Sequence, residues 1–97
     1  MKPVCLVLGA GAGIGGTVAK KFAIEGYHSC LCRRSDQGGL DKLVSSIEEA
    51  GGSATGYLVD AIEENVLEEL IINIEKDVGP IEVLVYNLGA QSGMKLL

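Results

Sequence analysis

The stretch Val4 to Gly16, VCLVLGAGAGIGG, constrains this chain more than any other, because an apolar run empties into closely spaced glycines and then into a helical pattern. Glycine lets a backbone turn tightly and approach a ligand where any Cβ would collide. The helix that follows offers unpaired N–H groups and the positive end of its dipole. A strand, a glycine turn and a helix N-terminus in that order make a phosphate cradle, so the guest implied is a nucleotide.

The rest of the chain must support that junction. Its 97 residues make room for one small domain, expected to span 1–97, and 47% apolar content is enough to bury a core. No apolar stretch approaches the roughly 20 residues of a membrane span, and no basic n-region, apolar h-region and cleavage site open the sequence. A cytoplasmic protein without membrane contact is expected. Thirteen acidic against eight basic residues leave a net charge of -5, which argues against broad nucleic-acid binding. Any bound anion must be held locally.

Cys5, Cys30 and Cys32 lie inside or at the end of apolar runs, as reduced core thiols do, and indicate no disulfide framework. His28, Cys30 and Cys32 alternate along an expected strand and so share one sheet face with zinc-ligating chemistry. No fourth ligand or second Cys/His cluster accompanies them, and an ordinary packed strand is the favoured reading.

Periodicity divides the chain into alternating short apolar runs and helical patterns. Val4 to Leu8 is too short for a helix and uniformly apolar, which predicts a strand buried on both faces. Ile14, Val18 and Phe22, with Ala19 and Ala23 beside them, mark one face of a helix that Gly26 closes. A second strand is expected over about His28 to Cys32. After turn residues Ser35 to Gly39, an amphipathic face of Leu40, Leu43, Val44 and Ile47 predicts a second helix, stopped by Gly51 and Gly52. A third strand follows near Ala54 to Val59. Val66, Leu67, Leu70, Ile71 and Ile74 form the inward face of a third helix that ends at Gly79 and Pro80, while Glu63, Glu64, Glu68, Glu69 and Glu75 face out. A solvated face accounts for those glutamates better than paired catalytic acids do. Ile81 to Tyr86 is the expected fourth strand, broken by Asn87-Leu88-Gly89.

Four strands joined by three helices predict an α/β fold, a Rossmann-like parallel sheet with right-handed crossovers and strand order 3-2-1-4. The reversal of winding opens a crevice between strands one and four at their carboxyl ends, within reach of the glycine loop and Asn87. Arg33 and Arg34 end strand two, about where a dinucleotide fold places an acid for the ribose 2′-OH or an arginine for a 2′-phosphate. A charge-assisted guanidinium bond contributes about 1.5 to 3 kcal/mol, against about 0.3 to 1 kcal/mol for an exposed helix-dipole contact. The arginines thus favour NADP over NAD, unless they merely return the chain to solvent. Asp36, in the turn beyond, keeps NAD in play.

The glycines fit several registers. Gly11, Gly13 and Gly16 satisfy G-x-G-x-x-G, and Gly9, Gly11 and Gly13 satisfy a G-x-G-x-G spacing that resembles the first motif of class I methyltransferases. Gly9, Gly13 and Gly15 fit a third, and LGAGAGIG resembles the TGxxxGIG cofactor loop of the short-chain dehydrogenases/reductases. That resemblance sets Gly9, Gly11, Ala12, Gly13, Ile14 and Gly15 against a cofactor. Asp60, followed by Ala61, looks like the family's adenine-binding acid. Tyr86-Asn87-Leu88-Gly89 resembles its NNAG segment, with Asn87 bracing the sheet and Gly89 passing beside the cofactor. A turn-forming Asp and a turn-forming Asn-x-Gly are the plainer alternatives.

The resemblance extends over essentially the whole sequence but matches only the first half or less of a typical family member. Leu8 replaces the loop threonine and Leu88 the alanine of NNAG, as in a divergent member. The family's chemistry uses a tyrosine with a lysine four residues on, whereas the residues four after Tyr27, Tyr57 and Tyr86 are Leu31, Ala61 and Ala90. No catalytic residue is assigned. The apolar ending Met94 to Leu97 suggests an interrupted domain, with the outer edge of strand four unpaired and prone to self-association. The resemblance implies the cofactor-binding portion of an NADP-dependent enzyme that exchanges a hydride with a small carbonyl or alcohol substrate. A non-catalytic NADP-binding or sensing module and an S-adenosylmethionine-dependent methyltransferase fragment are the alternatives.

Overall fold

Every apolar run becomes a strand and every 3.6-residue pattern a helix. The computed structural model describes residues 2–9, 14–59, 63–88 and 91–96. They form β1 (Val4–Leu8), α1 (Ile14–Ile24), β2 (His28–Arg33), α2 (Gln37–Glu49), β3 (Ser53–Leu58), α3 (Glu64–Asp77), β4 (Ile81–Leu88) and β5 (Gln91–Leu96). One sheet holds them in the order β3-β2-β1-β4-β5. The first four strands are mutually parallel in the expected order 3-2-1-4.

The two sheet faces bury different residues. Cys5, Val7, Leu31, Val83 and Val85 pack with Ala19 and Ala23 of α1 and Leu40 and Ile47 of α2. On the other face Val4, Leu6, Leu8, Cys30, Cys32 and Ile81 meet Leu70 and Ile74 of α3. β1 is buried throughout, as its unbroken apolar sequence requires of a central parallel strand. The glutamates of α3 at positions 63, 68, 69 and 75 are exposed, as its periodicity predicts.

Alternation alone would put Ile81 and Val83 on the same face. The register against β1 instead steps from Val4↔Ile81 to Cys5↔Val83. This bulge sets exposed Glu82 aside and lets Ile81 and Val83 reach opposite cores.

Three expectations are corrected. The turn placed over Ser35 to Gly39 is shorter, because α2 already begins at Gln37, with Asp36 as its cap. Asn87 and Leu88 do not break β4 but continue it. The outer edge of β4 is not unpaired: Gln91–Leu96 runs antiparallel beside it, from Leu88↔Gln91 to Val83↔Leu96. An antiparallel partner needs only a short link, so the nearest chain can fill the open N–H and C=O row. Among the described residues, no helix is long and apolar enough to cross a membrane.

Candidate functional site

The carboxyl ends of β1, β2 and β4 converge at Leu8, which stands opposite Cys32 on one side and Tyr86 on the other. The sheet order changes direction at β1, so the crevice of an open α/β fold lies here. Gly9 leaves β1 at φ 79°, a left-handed conformation that suits glycine, and its N–H donates to the Cys32 carbonyl at 2.9 Å. The chain returns as α1, whose first turn holds buried Gly15 and Gly16. The helix axis is pinned further along: Ser29 Oγ, fully buried in β2, donates to the Ala19 carbonyl at 2.7 Å. Sequence reasoning passed over Ser29, although a lone hydroxyl in a buried strand must find a partner.

Arg33 ends β2, half-buried, and Arg34 follows, exposed. The Arg33 carbonyl accepts the Val59 N–H at 2.9 Å, which holds the chain beyond β3 beside the end of β2. Arg33 Nη2 lies 3.4 Å from Asp36 Oδ2. Asp36 adopts φ 69°, and its Oδ1 accepts the Gly39 N–H at 3.0 Å, capping α2. The sequence placed Asp36 in a turn near the site; the structure adds that it engages Arg33.

Gly11, Ala12, Gly13, Asp60, Ala61 and Gly89 lie outside the described residues. Of Ile14 and Asn87 the backbone is placed, Ile14 opening α1 and Asn87 lying in β4 opposite Ser92. The described part of the crevice therefore brings together Gly9, Gly15, Arg33 and Arg34. A backbone turn with a left-handed glycine and a cationic strand end together offer hydrogen-bond donors and positive charge to an anion.

Nucleophile chemistry does not suit the neighbouring thiols. Burial pushes Cys32 up to about 12 and Cys30 to about 11, so both stay protonated and inert at neutral pH. Burial, with Cys30 beside it, also raises the Tyr57 hydroxyl to about 12, which makes it a poor proton donor. His28 lies at the amino end of β2, away from the crevice, with Nδ1 3.0 Å from Ser53 Oγ and Nε2 2.8 Å from Thr55 Oγ1. Among the described residues, no three His, Cys, Asp or Glu side chains cluster to hold a metal.

Known proteins share this fold and part of this sequence. A solved metagenomic short-chain oxidoreductase in complex with NADP superposes with a TM-score of 0.83 at 30% identity, covering 91% of this chain and 39% of that one. The gluconate 5-dehydrogenase of Gluconobacter oxydans is 36% identical over 86 residues, 89% of this chain and 33% of the relative. The fatty acyl-CoA reductase of Acinetobacter baylyi is 35% identical over 86 residues, 89% of this chain and 29% of the relative. The chain thus spans about a third of the length of the curated relatives it matches. These matches set aside the methyltransferase register of the glycines. The family model described as short chain dehydrogenase matches residues 3–96, and the chain belongs to that family of oxidoreductases.

Proposed function

We propose that these residues are the cofactor-binding portion of a short-chain dehydrogenase/reductase that prefers NADP, forming a single dinucleotide-binding domain. The observation that carries the reading is the adjacent pair Arg33 and Arg34 at the carboxyl end of β2, on the same sheet edge as the left-handed turn at Gly9. Two guanidinium groups there supply what a ribose 2′-phosphate needs, and the first of them is half-buried and so restrained. A 30% identical relative solved in complex with NADP supports a dinucleotide site of this kind.

In this reading Gly9, Gly11, Ala12, Gly13, Ile14 and Gly15 receive the pyrophosphate, with the N-terminus of α1 behind them. Asp60 and Ala61 border the adenine, Asn87 braces the sheet beside the cofactor, and Gly89 lets the backbone pass next to it. The bound cofactor supplies or accepts the hydride. This chain's residues bind and orient it, with a small carbonyl or alcohol as the substrate class of the whole protein.

Calorimetric titration with NADPH and NADH tests the reading. NADPH is expected to bind more tightly, and Arg34→Asp, which replaces attraction by repulsion, to shift the preference toward NADH. Equal affinities before and after the change remove the arginines from the argument. Binding of neither cofactor removes the reading.

A further inference from the structure

Two helices carry the same pattern with opposite charge. In α1, Lys20-Lys21-Phe22-Ala23-Ile24 places two cations three and four residues before an isoleucine; in α3, Glu68-Glu69-Leu70-Ile71-Ile72 places two anions before another. That spacing sets each isoleucine on the same helix face as its charges. Ile24 is 58% exposed and Ile72 63%, the two most exposed large apolar side chains among the described residues. Other residues fill the inward faces of both helices, so both isoleucines point away from their own core. Lys20 Nζ donates to Ser46 Oγ at 3.2 Å, which steadies the basic side. Thr17, Lys20, Lys21, Ile24 and Glu25 line a shallow depression of about 360 Å³, with room for an inserted aliphatic side chain.

We propose that the outer face of α1 docks on the outer face of α3 of a second copy, Ile24 against Ile72, and Lys20 and Lys21 against Glu68 and Glu69. The topology presents the two faces in a matching direction. Each helix links parallel strands and so runs against them, which makes α1 and α3 parallel to each other. They cover β1 and β2 from opposite sides, α1 on Cys5, Val7 and Leu31 and α3 on Leu6, Cys30 and Cys32. Copies stacked along the sheet normal therefore bring α1 beside α3 in the same direction, the one that sets both cations on anions while isoleucine meets isoleucine. The next positions oppose no like charges, since Thr17 meets Asn65 and Glu25 meets Asn73. Because the two surfaces differ, the contact is head-to-tail and adds copies in series rather than closing a dimer. An exposed interface one helix wide is weak, so association belongs to high protein concentration.

Sedimentation velocity at low ionic strength, over a rising series of protein concentrations, tests the stacking. The parent should show a weight-average coefficient that climbs without a plateau. Lys21→Glu and Glu69→Lys each replace attraction by repulsion at an exposed position, and each is expected to lower the association constant about tenfold. Glu69→Lys is the sharper of the two, because it brings the net charge of -5 closer to zero and a loss of general repulsion would by itself favour association. An equimolar mixture of the two variants regains opposite charges at every contact between unlike copies. It should recover the association of the parent, which also shows both variants to be folded. A parent that stays monomeric or levels off at a dimer, single variants that associate as the parent does, or a mixture that associates no better than its components each overturns the proposal.

Discussion

At the amino ends of β2 and β3, His28 engages both ring nitrogens with Ser53 and Thr55, and Lys2 Nζ donates to the same Ser53 hydroxyl at 3.3 Å. At the carboxyl ends of the same strands Arg34 is exposed, and among the described residues Arg33 Nη2 meets one carboxylate, that of exposed Asp36, at 3.4 Å. The first arrangement is a closed network whose polar groups answer one another. The second leaves donors and charge available. A sheet of this kind separates stability from recognition along its strands: one end completes its hydrogen bonds internally, and the other keeps them for a ligand.

Arg33→Ala should give the largest effect and test that separation directly. Loss of one charge-assisted bond to phosphate, about 1.5 to 3 kcal/mol, corresponds to a fall of about 10- to 100-fold in the NADPH-to-NADH affinity ratio. Stability should move by less than about 1 kcal/mol, because the ion pair removed is open to solvent on its Asp36 side. A large loss of stability in urea denaturation would mean that the carboxyl end is structural as well.

Gly79→Ala is the converse. Gly79 is buried where α3 hands over to β4, and a Cβ there would collide with the Lys2 carbonyl, a backbone atom that cannot swing aside. The neighbouring seam is tight, with Val4 N–H donating to the Pro80 carbonyl at 2.7 Å and His28 N–H to the Pro3 carbonyl at 2.9 Å. Overpacking of this kind costs about 1 to 3 kcal/mol. Denaturation should show that loss while the ratio of cofactor affinities, measured where the variant is still folded, stays put.

Those two positions also mark how far sequence reading reaches. The continuous apolar run Val4 to Leu8 declares a central parallel strand, a second strand is legible over about His28 to Cys32, and the face of α3 is legible because its periodicity has one solution. The bulge opposite Val4 is not legible, since Ile81, Val83 and Val85 alternate as an ordinary strand would. The continuation of β4 through Asn87 is hidden too, because Asn-Leu-Gly has turn chemistry and only the antiparallel pairing of β5 overrides it. At the site, Gly9 and the two arginines could be named from residue type and position. The link between Arg33 and Asp36 could not, because it depends on a left-handed residue and on the space left by Gly39, both set by where α2 docks.

The smallest expected effect concerns the closed end and is read by pH. Burial, and then the charge of Lys2, lower the His28 pKa from its ordinary value of 6.5, so the folded state disfavours the imidazolium. Between the lowered folded value and the unfolded one near 6.5, the unfolded chain binds more protons than the folded chain. Stability is therefore full above about pH 6.5, falls as the pH drops through that interval, and levels off below the folded value. One titrating group limits the slope to about 1.4 kcal/mol per pH unit. Urea denaturation at about pH 5.5, 6.5 and 7.5 should show this slope in the parent and lose it in His28→Gln, whose amide can still bond both hydroxyls. A slope that survives the substitution assigns the proton elsewhere. A change in the NADPH-to-NADH ratio on His28→Gln would be the more serious result, since it would couple the two ends of the sheet.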